Sequence, residues 1–166
     1  MDAFGYKTLE NGTTEFIWIV EDLGEIVALN GPLGQYRDSF YVIGPQSEAL
    51  YHEAIRIARQ NGFVFDFNDK CGQLLLRFPL SQVSDVGHFR FEVIEPVLNT
   101  ALQQSGNGFC DYGFCDEAFF NEMPFVYDPE IAVQTIVDTL KQHEVDIENL
   151  AVFSVRNGAA EKQWWP

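Results

Sequence analysis

The sequence predicts an α+β fold: a mixed, mainly antiparallel sheet with about three helices packed on one face, in a single domain over residues 1–166. Three observations predict it. Strand-like and helix-like patterns are interspersed rather than strictly alternating, which favours segregated layers over a doubly wound parallel sheet. Two helices carry local start signals, at Ser47 and at Asp128-Pro129. Finally, 46% of residues are apolar and 15 are Phe. A core can therefore form despite a net charge of −15, because disorder needs low hydrophobicity as well as high charge.

Glu15–Val20 (EFIWIV) and Glu25–Leu29 (EIVAL) flank the turn Glu21-Asp22-Leu23-Gly24, and Ser39–Ile43 (SFYVI) precedes Gly44-Pro45. Short β-branched and aromatic runs separated by turn residues predict an antiparallel meander. Ser47–Gln60 is predicted helical. Ser47 caps it, Glu48 complements the dipole, and Leu50, Ala54, Ile57 and Ala58 recur at helical spacing before Asn61-Gly62 stops it. Phe63–Phe67 alternates as a strand, Asn68–Gly72 is a hairpin loop, and Gln73–Phe78 (QLLLRF) is the next strand. Residues 84–104 admit two readings. His88–Val93 alternates like a strand, whereas Val97, Leu98, Ala101 and Leu102 share a helical face. Pro96 is comfortable in the first turn of a helix and disruptive in its middle; the expected helix reaches back to about residue 90 or 92 and ends near Ser105-Gly106.

A loop rich in Gly, Cys and Asp follows over 106–113. The next strand is Ala118–Tyr127, where Pro124 marks an edge or a bulge. Asp128-Pro129-Glu130 starts a helix whose buried stripe is Ile131, Val133, Ile136, Val137 and Leu140. Leu150–Val155 (LAVFSV) is the last strand, and Trp164 and Trp165 are expected to dock onto their own domain. Residues 73–155 thus run β-α-β-α-β, which fits a variation on a ferredoxin-like layer.

The charge is regional. Between Arg90 and Lys141 stand Glu92, Glu95, Asp111, Asp116, Glu117, Glu122, Asp128, Glu130 and Asp138, nine acids with no Lys or Arg among them. Such a composition excludes a general phosphate-binding surface and adsorption to anionic membranes. It suits the electrostatic attraction of a basic protein, although acidic surfaces also serve solubility alone.

Motifs for chemistry are sparse. Cys71, Cys110 and Cys115 are an odd set, and the N-terminal residues lack a basic-then-apolar signal, so free thiols and a cytoplasmic location are expected. No apolar run approaches the roughly 18 residues of a membrane span. Cys110 and Cys115 lack the second ligand pair of a zinc site, and their acidic neighbours disfavour a thiolate. His52, His88 and His143 fall in no HExxH or related pattern. Asp66–Gly72 resembles a calcium loop in part, but Lys70 and the missing closing Glu make it a turn. Gly106-Asn107-Gly108 lacks the Lys-Ser/Thr of a phosphate loop. No cofactor, metal or catalytic residue is expected, and the chain is expected not to be an enzyme.

Residues 98–155 carry a resemblance. The run comprises LNTALQQSGNG, the acidic turn CDYGFCDE, the segment FFNEMPFVYDPE, a helix ending LKQHEV and the strand LAVFSV. It resembles small acidic bacterial immunity proteins with a ferredoxin-like layer, inhibitors encoded beside secreted or contact-dependent toxins. The resemblance implies a protein that neutralises a cognate, basic toxin, often a nuclease, by direct binding. The acids expected to meet such a partner are Asp111, Asp116, Glu117 and Glu122, in or beside the loop; Asp128 is already occupied in capping a helix. Two other readings stay open. One is a small-ligand, metal or enzyme site lined by Cys110, Asp111, Cys115 and Asp116. The other is an acidic adaptor or scaffold.

Overall fold

Two antiparallel sheets, rather than one, carry the α+β architecture of the computed structural model, which describes residues 2–156 and 159–165. They lie in two compact units. One comprises the described residues through Lys70 with Gln104–Gly106; the other comprises Cys71–Gln103 and the described residues from Asn107 onward. No Pro-, Gly- or Ser-rich linker marks the passage at Lys70-Cys71, so the division leaves no sign in the sequence. The three long helices are accordingly shared between two sheets.

In the first unit, β1 (Asp2–Thr8), β2 (Thr14–Asp22), β3 (Glu25–Pro32) and β4 (Tyr41–Pro45) form a meander in chain order. Alternation along β2 gives the sheet two apolar faces. Ile17 and Ile19 pack with Tyr51, Ala54 and Ala58 of α1 (Glu48–Gln60). Trp18 points the other way and stacks on Phe4 at 5.6 Å. Strand β1 was not expected, because the polar ends of its segment mask the spacing of Phe4 and Tyr6. The expected strand Phe63–Phe67 is reduced to one bridge between Tyr6 and Val64. Its end turns into the short helix α2 (Phe67–Lys70), where an Asp66–Lys70 ion pair at 2.7 Å spans one turn.

The second unit begins with β5 (Gly72–Pro79), α3 (Val86–His88), a π-helix (Phe89–Ile94) and α4 (Glu95–Gln104). It continues with β6 (Gly108–Phe109), β7 (Gly113–Cys115), β8 (Phe119–Glu122), β9 (Phe125–Val126), α5 (Pro129–Gln142), β10 (Ala151–Arg156) and β11 (Ala159–Trp165). The sheet order is β11-β10-β5-β8-β7, with β6 and β9 paired beside β5. Helix α4 lies in the connection from β5 to β6; α5 connects β9 to β10, with β5 between them. Leu74, Leu76 and Phe78 of β5 and Phe120 of β8 share one core with Leu98 and Leu102 of α4 and Ile136 of α5.

The helical stretch begins at Val86, earlier than expected, with the Asp85 side chain accepting from His88 N–H. Pro96 therefore lies well inside a helical run. The π-helix accommodates it: Glu95 N–H returns to Arg90 O, five residues back. The wider turn relieves the place where a proline ring and its missing donor would break an α-helical ladder. The strand expected over Ala118–Tyr127 is interrupted at Met123-Pro124, as the proline implied. The C-terminal segment, read only as a tail, pairs with β10 as β11. Trp164 packs against the unit's core, with Lys162 Nζ 3.3 Å above its ring. The side chain of Trp165 lies outside the described residues. Among the described residues no helix is long and apolar enough to cross a membrane.

The Asp128 cap is present: its Oδ1 accepts from Glu130 N–H at 3.0 Å and Ile131 N–H at 3.1 Å. Asp128→Ala is expected to cost about 1 kcal/mol, measured by urea unfolding. An unchanged midpoint would show that the cap is idle.

Candidate functional site

Strand β8 sorts the nominated acids. Its side chains alternate, so Phe120 and Glu122 face the helices while Phe119 and Asn121 face the other way. Glu122 is 0% exposed. This corrects the expectation that it borders an exposed loop: two residues after a core Phe on a strand, it must point inward. Its Oε2 lies 3.8 Å from Arg90 Nε on the π-helix. The same nitrogen is 3.4 Å from Glu95 Oε2. None of Arg90 Nε, Glu95 Oε2 and the two Glu122 oxygens, all buried, makes a hydrogen bond. Burial pushes the Glu122 carboxyl up to about 7; Glu95 and Asp111 add to this, and Arg90 opposes it. At neutral pH this carboxyl therefore stands between its protonated and ionised forms.

Arg90 is fixed from several sides. Its Nη1 donates to Gly113 O at 3.1 Å, and its guanidinium lies 4.8 Å from the Phe91 ring centre. Gly113 pairs with Glu122 in the β7–β8 ladder. A side chain there would overlap Glu122 Oε2, so glycine lets the edge strand lie directly over the buried carboxylate.

Asp116 is also committed, on the opposite face. Its Oδ1 accepts from Ala118 N–H and Phe119 N–H, at 2.9 and 2.8 Å, closing the β7–β8 turn. Its Oδ2 accepts from Arg77 Nη2 at 3.0 Å and from Asn121 Nδ2 at 3.1 Å. The Ala118 amide, followed by Asn121, holds the carboxyl down at about 2, with Phe119 and Arg77 contributing. Arg77 continues across the strand, bonding Asn121 Oδ1 at 3.2 Å and lying 4.2 Å from the Phe119 ring centre. The stretch without cations in sequence thus receives two in space, Arg77 and Arg90.

Asp111 and Glu117 are exposed, as is the hydrogen-bonded Asp116. Between Asp111 and Glu117 stand Tyr112, 53% exposed, and Phe114, 39% exposed, their ring centres 5.8 Å apart. The aromatic pair was missed because most aromatic residues are core by default; Phe114 on a three-residue edge strand, and Tyr112 just before it, fall outside.

The cysteines are separated in character. Cys110 is buried, and its backbone is clasped by the Asn99 side chain: Asn99 Nδ2 donates to its carbonyl at 2.9 Å, and its N–H donates to Asn99 Oδ1 at 2.7 Å. Burial, then Glu122 and Glu95, push its thiol well above the usual range. Cys115 is exposed and Cys71 half-buried. Among the described residues no three His, Cys, Asp or Glu side chains are grouped to hold a metal. Compared with known proteins, the chain matches no family model, no curated protein and no solved structure.

Proposed function

We propose that this chain is a cytoplasmic immunity protein that captures and neutralises a basic protein toxin by binding alone. The observation that carries the reading is the edge hairpin, where exposed Tyr112 and Phe114 stand between exposed Asp111 and Glu117. Aromatic anchors framed by charge are what a protein interface uses for affinity. The net charge of −15 supplies a field that steers a cation toward it. Strand β7 ends the sheet, leaving a backbone edge able to accept an added strand.

The two parts divide the kinetics. Exposed acids act on encounter, while the aromatic rings act on residence time. Asp111→Lys with Glu117→Lys is expected to slow association by about tenfold at low salt and to flatten its salt dependence. Tyr112→Ala with Phe114→Ala is expected to speed dissociation by about 30-fold. The test is affinity capture from the native host with the wild type and both variants, followed by assay of the captured protein's own activity. A stoichiometric basic protein, silenced by the wild type and released by the variants, supports the reading. A partner retained equally by all three, or one whose activity is untouched, defeats it.

A further inference from the structure

We propose that Arg90, Glu95 and Glu122 form a buried proton-binding site that latches the edge strand β7: proton uptake closes the β7–β8 hairpin, and proton loss loosens the strand that presents Tyr112 and Phe114. The charge count makes the case first. One guanidinium serves two carboxylates, at 3.4 and 3.8 Å, so with both ionised the cluster carries one uncompensated negative charge. Glu122 is 0% exposed and neither of its oxygens is hydrogen-bonded. A buried carboxylate without hydrogen bonds is held only at a cost of several kcal/mol. One proton removes that cost, leaving a neutral Arg90–Glu95 pair beside an uncharged Glu122.

The surroundings decide both the affinity for the proton and what gives way. The charged groups acting on Glu122 are Arg90 from the π-helix, Glu95 from α4 and Asp111 before β7. Cys110, also close enough to sense it, is a neutral thiol. The strand neighbours, Leu76 on β5 and Gly113 on β7, do not titrate. Two of the three charges are negative, so they oppose ionisation, and the carboxyl is poised at about 7. Around an ionised Glu122 stand the partly exposed Arg90 and Glu95 side chains on the helix side and the two flanking strands, β5 and β7. Strand β5 is central, paired on both sides, whereas β7 is a three-residue edge whose Gly113 covers the carboxylate with no side chain. Short edge elements open at the least free energy. Arg90 donates to the Gly113 carbonyl, so movement of the carboxylate is transmitted to the strand directly.

That this latch regulates partner capture rests on the function proposed above; the latch itself does not. Its test therefore uses the chain alone: hydrogen exchange of the amides over residues 112–116 between pH 6 and 8, corrected for intrinsic rates and referenced to β10. A group titrating at about 7 when closed and in the ordinary carboxylate range when open makes opening about tenfold more populated across that interval. Wild type is expected to lose about tenfold in protection, whereas Glu122→Gln is expected to be flat. Glu95→Gln, which removes a like charge, should move the transition to lower pH, and it serves if the first variant fails to fold. Unchanged wild-type protection, or the same slope in Glu122→Gln, overturns the latch. Either outcome leaves the partner-binding reading to its own test.

Discussion

Replacing Arg90 with Met is expected to destabilise the second unit by about 3–5 kcal/mol at pH 8, the range for stripping one partner from a buried ion pair. The side chain is long and its stem is apolar, so Met fills much of the space. What is lost is, among the described residues, the one cation paired with Glu95 and Glu122, together with the bond to Gly113 O. The loss should be smaller at pH 5.5. Glu122 has a folded-state value raised from 4.5 to about 7, so between those limits the folded chain binds more protons than the unfolded one. Stability contributed by this group is therefore highest at acid pH and falls as pH rises toward 7, by at most about 3 kcal/mol before solvent screening is allowed for. At pH 5.5 the proton already neutralises Glu122, and Arg90 has only Glu95 to serve. Adding Glu122→Gln to Arg90→Met should return a large part of the stability at pH 8, because the second change removes the orphaned charge. Urea unfolding of the four chains in this cycle, at both pH values, measures the coupling. A cost independent of pH, or no recovery in the double variant, would mean that the three side chains do not act as one cluster.

The elements legible in the sequence were those whose determinants are local. Ser47 and Asp128 cap their helices through amides two or three residues on, and a reader of the sequence sees both ends of such an interaction. Gly106 ends α4 at φ +72°, with Asn107 N–H returning to Leu102 O, again within one turn. What failed was set by distant partners. Arg77 reaches Asp116 across 39 positions, and Arg90 reaches Glu122 across a comparable span. Counting charge within a window makes those acids uncompensated, although the sheet compensates them. Strand β8 shows the same limit. The alternation Phe119, Phe120, Asn121, Glu122 carries the period but not which face is the core, and the nearby loop suggested exposure. Had Phe120 been taken as inward, Glu122 would have followed. The π-helix was hidden for another reason: a proline is ordinarily a start signal, and nothing local announces that a wider turn will absorb it.

Gly108→Ala is expected to be comparably costly, about 2–6 kcal/mol, for reasons that lie entirely in the backbone. Gly106-Asn107-Gly108 looked in sequence like an abortive phosphate loop; in the fold it is the point where α4 passes into the sheet. Gly108 has φ +142°, a region from which L residues are almost wholly excluded. Holding alanine there costs roughly 1–3 kcal/mol. A second term is independent of the first. Gly108 pairs with Val126 in the β6–β9 ladder, and a Cβ on it would overlap the Phe125 carbonyl. The neighbour that must yield is backbone, not a flexible side chain, so overpacking adds roughly 1–3 kcal/mol more. The strand cannot simply shift away. Asn107 is clamped to the start of α5, donating from Nδ2 to Asp128 O at 3.0 Å and accepting at Oδ1 from Asp128 N–H at 2.8 Å. Two residues beyond Gly108, Asn99 clasps Cys110. Between those two clamps Gly108 has no freedom to adopt an ordinary φ. Urea unfolding of Gly108→Ala measures the sum, and Gly113→Ala is the instructive comparison. At Gly113 the obstacle includes the end of the Glu122 side chain, whose position depends on its proton. The Gly113 variant should therefore lose stability in a pH-dependent way, whereas the Gly108 variant should lose the same amount at pH 5.5 and pH 8. A Gly108→Ala loss below about 1 kcal/mol would show that the β6–β9 pairing gives way easily, and that the hairpin bearing Tyr112 and Phe114 hangs from a weaker support than these two clamps imply.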